Sequence, residues 1–218
     1  MRPDPLFHSL ASLQAQLKTA LAAPLPGEEA QAVMAPSPRP LLEWNLENAR
    51  TAAALLTVYP RPEAPHVLLT LRSRDLPSHR GQVSLPGGMV EPGESPVAAA
   101  LREAREEVGL DPEAVDVLCD LSPVFIPVTG FLLHPFVAMA RRALVFTPHE
   151  AEVARVMEVP LAELADPARQ RIETRMILDE PRLVPYFLVD GEKLWGATAM
   201  ILAEFLTLLG YPPRPERS

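Results

Sequence analysis

Three glutamates, Glu103, Glu106 and Glu107, sit inside the stretch Ser95 to Val108, which carries helical spacing. At about 100° per residue they fall together on an arc of about 100°, with Glu103 and Glu107 one turn apart. Arg102 is four residues before Glu106, so an ion pair is available on the flank. An acidic face is common on a solvated helix. This one has little basic compensation and lies towards the helix C-terminus, where the macrodipole disfavours negative charge. A divalent cation would relieve both costs, and oxygen-only ligands favour a hard ion such as Mg²⁺ or Mn²⁺.

The residues before this helix extend the pattern. Gly87-Gly88-Met89-Val90-Glu91-Pro92-Gly93-Glu94 is a glycine-rich run into Ser95. Glycines let backbone carbonyls or amides approach a metal or a phosphate. Read alone, the run is a strand-to-helix turn. Upstream, Thr70 to Arg80 holds Arg72, Arg74, Arg80 and His79 against a single acid, Asp75. Arginine is suited to bidentate phosphate contacts, so this segment is the basic counterpart of the acidic helix.

Taken together, Gly88, Glu94, Arg102-Glu103, Glu106-Glu107 and Gly109-Leu110 resemble the Nudix box in type and spacing. One slot departs: Ala104 stands where that box usually has a bulkier aliphatic residue. The resemblance implies hydrolysis of a nucleoside diphosphate linked to a further moiety, an α/β/α sandwich with a mixed sheet, and dependence on Mg²⁺ or Mn²⁺. By position it implies Glu103 and Glu107 as metal ligands, with Glu106 as a further ligand or the base that activates water. It adds the carbonyl of Gly87 or Gly88 as a ligand, and makes Arg102 and Glu94 an orienting pair. Nudix enzymes often take a ligand or base from a late loop; Glu150 and Glu152, in a proline-marked segment, are the candidates here.

The stretch Leu68 to Gly88 resembles a second signature, that of the coenzyme A pyrophosphatase subgroup. Leu68 to Ser73, Gly81 and Pro86 to Gly88 match in place. Pro77 takes the place of an arginine and Leu85 that of a phenylalanine. The subgroup implies cleavage of CoA to adenosine 3′,5′-bisphosphate and 4′-phosphopantetheine. Arg72, Ser73, Arg74, Arg80, Gly81, Pro86 and Gly88 are then the expected substrate contacts. Phe125, Phe131 and Phe136 are candidates to line a channel for the pantetheine arm, with core packing the stronger reading of each. Pro77 motivates a first alternative, ADP-ribose or a dinucleotide as substrate. A second is a non-hydrolytic nucleotide-binding module, which the intact glutamate set argues against.

Several elements must position these residues. Ser95 suits an N-cap, Pro96 the first helical position and Gly109 the C-terminal stop, with Val97, Leu101, Ala104 and Val108 as the core stripe. Strands are expected at Ala52 to Val58, His66 to Arg72, Val83 to Leu85, Ala114 to Leu121, Val124 to Val128, Leu132 to Met139 and Val153 to Val159. Thr174 to Leu178 and Leu183 to Val189 read as a hairpin. Helices are expected at Leu6 to Leu21, Leu161 to Ala165 and Ala197 to Leu209, and a loop at Gly27 to Pro40. Cys119 reads as a core residue, alternating with Val115, Val117 and Leu121 on one strand face. His8, His66, His134 and His149 show no metal-binding spacing.

The 218 residues, 48% hydrophobic and 22% charged, have globular values, and the length allows a single domain with appendages. The expected division is residues 1–40 as N-terminal helix and linker, 41–210 as the hydrolase domain and 211–218 as a tail. Proline is abundant at 26 residues, mostly as loop punctuation. The lone cysteine allows no internal disulfide, and the N-terminal run lacks a signal-peptide pattern, so a cytoplasmic protein is expected. The net charge of −8 and the lack of a long apolar stretch point to a small nucleotide as partner, not nucleic acid or membrane. Apolar helices at both ends are compatible with a homodimer.

Overall fold

The computed structural model describes residues 9–38, 48–75 and 80–217. The expectations resting on Pro77, His79 and residues 6–8 lie outside them. In chain order the elements are α1 (Leu10–Ala20), α2 (Gly27–Ala32), β1 (Arg50–Pro60), β2 (Pro65–Arg72), β3 (Val83–Ser84), β4 (Gly87–Met89), α3 (Pro96–Val108), β5 (Val115–Asp120), β6 (Val124–Ile126), β7 (Phe131–Ala140), β8 (Val153–Pro160), α4 (Leu161–Ala165), β9 (Gln170–Ile177), β10 (Glu180–Val189), β11 (Glu192–Trp195), α5 (Ala197–Leu208) and β12 (Glu216–Arg217).

A mixed eight-stranded sheet runs β3-β2-β1-β7-β5, with β4 paired to β1, β6 to β7 and β8 to β2. β1 and β7 are parallel, Arg50 opposite Phe131 through Val58 opposite Met139. Side-chain alternation along β1 feeds two cores. Ala53, Leu55 and Tyr59 face Ala99, Ala100, Ala104 and Val108 of α3. Ala54, Leu56 and Val58 face the other way, onto α1 and the apolar helix α5. A sheet covered by helices on both faces must bury apolar residues on both, which is why β1 reads as a continuous apolar run. Beyond it lies a four-stranded sheet, β11-β10-β9-β12, whose Phe187, Val189 and Leu194 join the α5 core.

Four expectations change. Residues 27–32 are helical: α2 lies against α5, where Gln31 and the Gly27 amide both bond the buried carboxylate of Glu204, at 2.9 and 3.2 Å. The expected hairpin gains β11 and the terminal strand β12, which pairs with β9 in parallel. In β5 a register shift between Val117 and Cys119 breaks the alternation. Val117 is exposed, Val115 packs towards α3 and Cys119 packs on the α5 side, so they share no face. Burial pushes the Cys119 thiol up to about 11. The core stripe of α3 runs through Ala99, Ala100, Ala104, Glu107 and Val108, with Val97 and Leu101 only partly covered. Small alanines let α3 approach β1 closely, and this turns Glu107 into the buried face.

Candidate active site

The helix α3 begins and ends as its sequence dictates. Ser95 accepts from the Ala98 amide, Pro96 occupies the first turn, and Gly109 closes the end at φ 68°. Before it, β4 pairs with β1 in a register that decides which backbone groups are available. The Leu55 amide donates to the Pro86 carbonyl and the Val90 amide to the Thr51 carbonyl. Bonding to β1 therefore falls on the even-numbered residues, and the peptide groups of Gly87 and Met89 face away from it. The Met89 carbonyl accepts from Arg102 Nη2 at 3.0 Å. By the same alternation the Gly87 carbonyl is presented on that side.

Neither glycine has room for a Cβ unless a neighbour shifts. A Cβ on Gly87 would lie 2.3 Å from the Ala53 carbonyl oxygen, against the β1 backbone. A Cβ on Gly88 would lie 2.4 Å from the Glu103 carboxylate. Gly88 is thus the floor on which Glu103 rests.

Arg102 uses all five N–H donors of its guanidinium. Nε donates to Glu94 Oε1 at 3.0 Å, and Nη2 to Glu94 Oε2 at 3.1 Å and to the Met89 carbonyl at 3.0 Å. Nη1 donates to Glu103 at 2.8 Å and to Glu106 at 3.2 Å. The hydrogen bond from Arg102 holds the Glu94 carboxyl below its usual range. Glu94 also accepts from the Glu91 amide, so it fastens Arg102 to the loop before the helix.

The three glutamates are not equivalent. Their side chains are 3% exposed at Glu107, 16% at Glu103 and 58% at Glu106. Desolvation raises Glu103, opposed by the hydrogen bond from Arg102. Desolvation pushes Glu107 up to about 8, opposed by Arg72 and raised further by the charges of Glu103 and Glu152. Its Oε2 is buried without a hydrogen-bond partner.

Of the upstream residues, Arg72 enters the site, its Nη1 3.6 Å from Glu107 Oε1. Arg74 and Arg80 are exposed on the loop that returns through Gly81, whose amide bonds the Arg72 carbonyl at 3.2 Å. Ser73 and Pro86 are buried in supporting positions. Ser73 Oγ accepts from the Asp75 amide, and the Pro86 carbonyl anchors β4. Leu85 is buried in the α5 core.

The late segment docks on the end of α3. The Thr147 amide bonds the Val108 carbonyl at 2.9 Å and the His149 amide the Glu107 carbonyl at 2.8 Å. This brings the charge of Glu152 to bear on Glu103 and Glu107, while Glu150 is exposed. The Glu152 carbonyl also accepts from the Ser73 amide, which ties the late segment to the basic one. Sequence reasoning missed the Met89 carbonyl, and it missed His149, whose Nδ1 lies 3.3 Å from Glu152. The three-residue spacing of His149 and Glu152 was the available signal.

Among the described residues no three acidic, histidine or cysteine side chains converge at ligand distance. Arg102 holds Glu103 and Glu106, and Arg72 faces Glu107. The donors nonetheless fit a hard divalent cation. They are all oxygens, one buried carboxylate oxygen has no partner, and Gly88 leaves room that a side chain would fill.

The Nudix domain family model matches residues 49–179. The chain is 41% identical over 181 residues to an uncharacterized Nudix hydrolase NudL of Cronobacter sakazakii, covering 80% of this chain and 91% of that one. It is 39% identical over 176 residues to the NudL of Salmonella paratyphi B, with the same coverage. A solved Nudix hydrolase of M. smegmatis, RenU, shares 30% identity over 54% of this chain and 74% of its own, with a TM-score of 0.47. Mixed sheet, covering helices, box and relatives agree: the chain belongs to the Nudix hydrolase family.

Proposed function

We propose that this Nudix hydrolase cleaves the pyrophosphate of coenzyme A or a CoA derivative, adding water to yield adenosine 3′,5′-bisphosphate and 4′-phosphopantetheine. One observation carries the reading: the segment holding the subgroup signature folds onto the Nudix helix, with Arg72 facing Glu107 at 3.6 Å. A basic segment so placed lies where a diphosphate held over the glutamates would meet it.

In this reading Glu103, Glu107 and the Gly87 carbonyl would hold Mg²⁺ or Mn²⁺, which would neutralise charge on the pyrophosphate and make water a better nucleophile. Glu106, the exposed member, takes the proton of the attacking water or completes the ligand set. Glu152 is the late-loop acid in preference to Glu150, because its charge raises Glu103 and Glu107 while Glu150 is exposed. Arg102 and Glu94 fix the direction of Glu103. Arg72, with Arg74 and Arg80 on the loop, meets the phosphates, the 3′-phosphate of CoA included. Phe131 is engaged by Arg50, 4.2 Å from its ring centroid, and Phe136 packs on the α3 core, so neither is offered as a channel wall.

The test is turnover of CoA, its thioesters, ADP-ribose and dinucleotides side by side with Mg²⁺ or Mn²⁺, with products resolved by chromatography. The highest kcat/KM is expected for a CoA species. A clear preference for ADP-ribose would replace CoA within the same chemistry. Nucleotide binding without product under every metal would favour a binding module.

A further inference from the structure

Two arginines touch the glutamates of α3, and they are held very differently. Arg102 has every donor engaged. Among the described residues Arg72 is hydrogen-bonded through its backbone: its amide donates to the Gln82 carbonyl at 3.0 Å and its carbonyl accepts from Gly81 at 3.2 Å. The register of β2 on β8 shifts between Leu71 and Arg72. Such irregularities re-aim side chains, often beside active sites. The guanidinium is thereby turned towards Glu107. Yet the approach of Nη1 to Glu107 Oε1 is 3.6 Å, well beyond the 2.7–2.9 Å of a charge-assisted hydrogen bond. Among the described residues neither the buried Arg72 Nε nor the buried Glu107 Oε2 has a hydrogen-bond partner. A buried carboxylate and a partly exposed guanidinium, its Nε buried, face each other with donor and acceptor capacity left unused on both sides.

This is the arrangement of a stand-in, not of a finished ion pair. We infer that Arg72 is a placeholder cation for Glu107: it compensates that buried charge until a divalent ion arrives, and the ion then releases its guanidinium to the diphosphate. The inference rests on the reading of Glu107 as a metal ligand. It goes beyond that reading in making Arg72 a competitor of the metal and a partner of the substrate. Loss of Arg72 must then move the two affinities in opposite directions, whereas a merely structural role would lower both.

The experiment measures Mn²⁺ binding to nucleotide-free protein by electron paramagnetic resonance, at pH 8.5 under nitrogen. It then measures ADP binding at saturating Mn²⁺. The proteins are wild type, Arg72→Gln, Arg72→Lys and Glu107→Gln. Arg72→Gln is expected to bind Mn²⁺ on the order of tenfold more tightly, since it removes a positive charge that faces the carboxylate, and ADP on the order of tenfold more weakly, since it loses one contact to the diphosphate. Arg72→Lys, which keeps the charge, is expected to return Mn²⁺ affinity towards wild type. Glu107→Gln is expected to lose at least tenfold in Mn²⁺ affinity. If Glu107→Gln loses Mn²⁺ but Arg72→Gln binds it no better than wild type, the placeholder role is wrong and the metal site stands. If Glu107→Gln binds Mn²⁺ as wild type does, the metal site falls and the placeholder falls with it.

Discussion

Replacing Glu107 with glutamine removes a charge that the fold buries at a cost. The side chain is 3% exposed, and burial pushes its carboxyl from the ordinary 4.5 to about 8. A carboxyl raised on folding binds its proton more tightly in the folded state. Its contribution to stability is complete below about pH 4.5 and is lost as the pH rises towards 8. At about 1.4 kcal/mol per pH unit, a gap of some 3.5 units amounts to about 5 kcal/mol by pH 8.5. Glutamine keeps the shape and drops the charge, and the shift to about 8 is already net of the attraction to Arg72, so the gain at pH 8.5 should be on the order of 5 kcal/mol, roughly 10–20 °C for a chain of this length. The assay is thermal unfolding with chelator at pH 5 and pH 8.5, then with excess Mg²⁺. Without ions the two proteins should melt close together at pH 5, and Glu107→Gln should melt higher at pH 8.5. Mg²⁺ should raise the wild type and leave the variant nearly unmoved. A variant that melts at or below wild type at pH 8.5 without ions would refute the reasoning.

Further outcomes follow from the same geometry. Gly88→Ala puts a Cβ 2.4 Å from the Glu103 carboxylate, which can swing aside. It should fold with stability within about 1 kcal/mol of wild type yet lose turnover on the order of a hundredfold. Gly87→Ala meets the Ala53 carbonyl oxygen at 2.3 Å and should lose stability as well; chemical denaturation alongside a rate assay separates the two. Glu204→Ala leaves the Gly27 and Ser122 amides without their acceptor and takes one of two acceptors from Gln31, which keeps the Ser122 carbonyl. It should cost about 3 kcal/mol or more, read as a lower denaturation midpoint with unchanged slope. At limiting Mg²⁺, activity should rise with pH across 7–8.5 as Glu107 loses its proton, roughly around its value of about 8. Saturating Mg²⁺ should move that rise to lower pH, because ion and proton compete for one carboxylate.

The helix α3 was legible because its signals are local. Ser95, Pro96 and Gly109 each act through their own backbone, and cap geometry followed. The sheet order around β1 was not legible, since pairing partners far apart in sequence leave no local mark. The helical wheel put the three glutamates on one arc, but the structure sets them at different depths. The wheel measured angle alone, while the depth of α3 is set by alanines packing on β1, and that draws Glu107 into the core. α2 looked like a loop because its reason for being helical, the carboxylate of Glu204, lies far along the chain. Cys119 was misplaced on its strand by a single register shift. The preference for Glu152 over Glu150 came from docking of the late segment on α3 through Thr147 and His149, which no spacing rule contains.

The central claim is that a buried, arginine-faced carboxylate on α3 gathers a divalent ion and so allows an acidic protein to split a phosphoanhydride. Its most direct test is product formation from CoA by wild type, Glu103→Gln and Glu107→Gln in Mg²⁺ or Mn²⁺, with Mn²⁺ binding measured on the same samples. The account predicts adenosine 3′,5′-bisphosphate and 4′-phosphopantetheine from wild type. It predicts that both variants, still folded, lose activity and ion binding together. Near-normal turnover by either variant would contradict it.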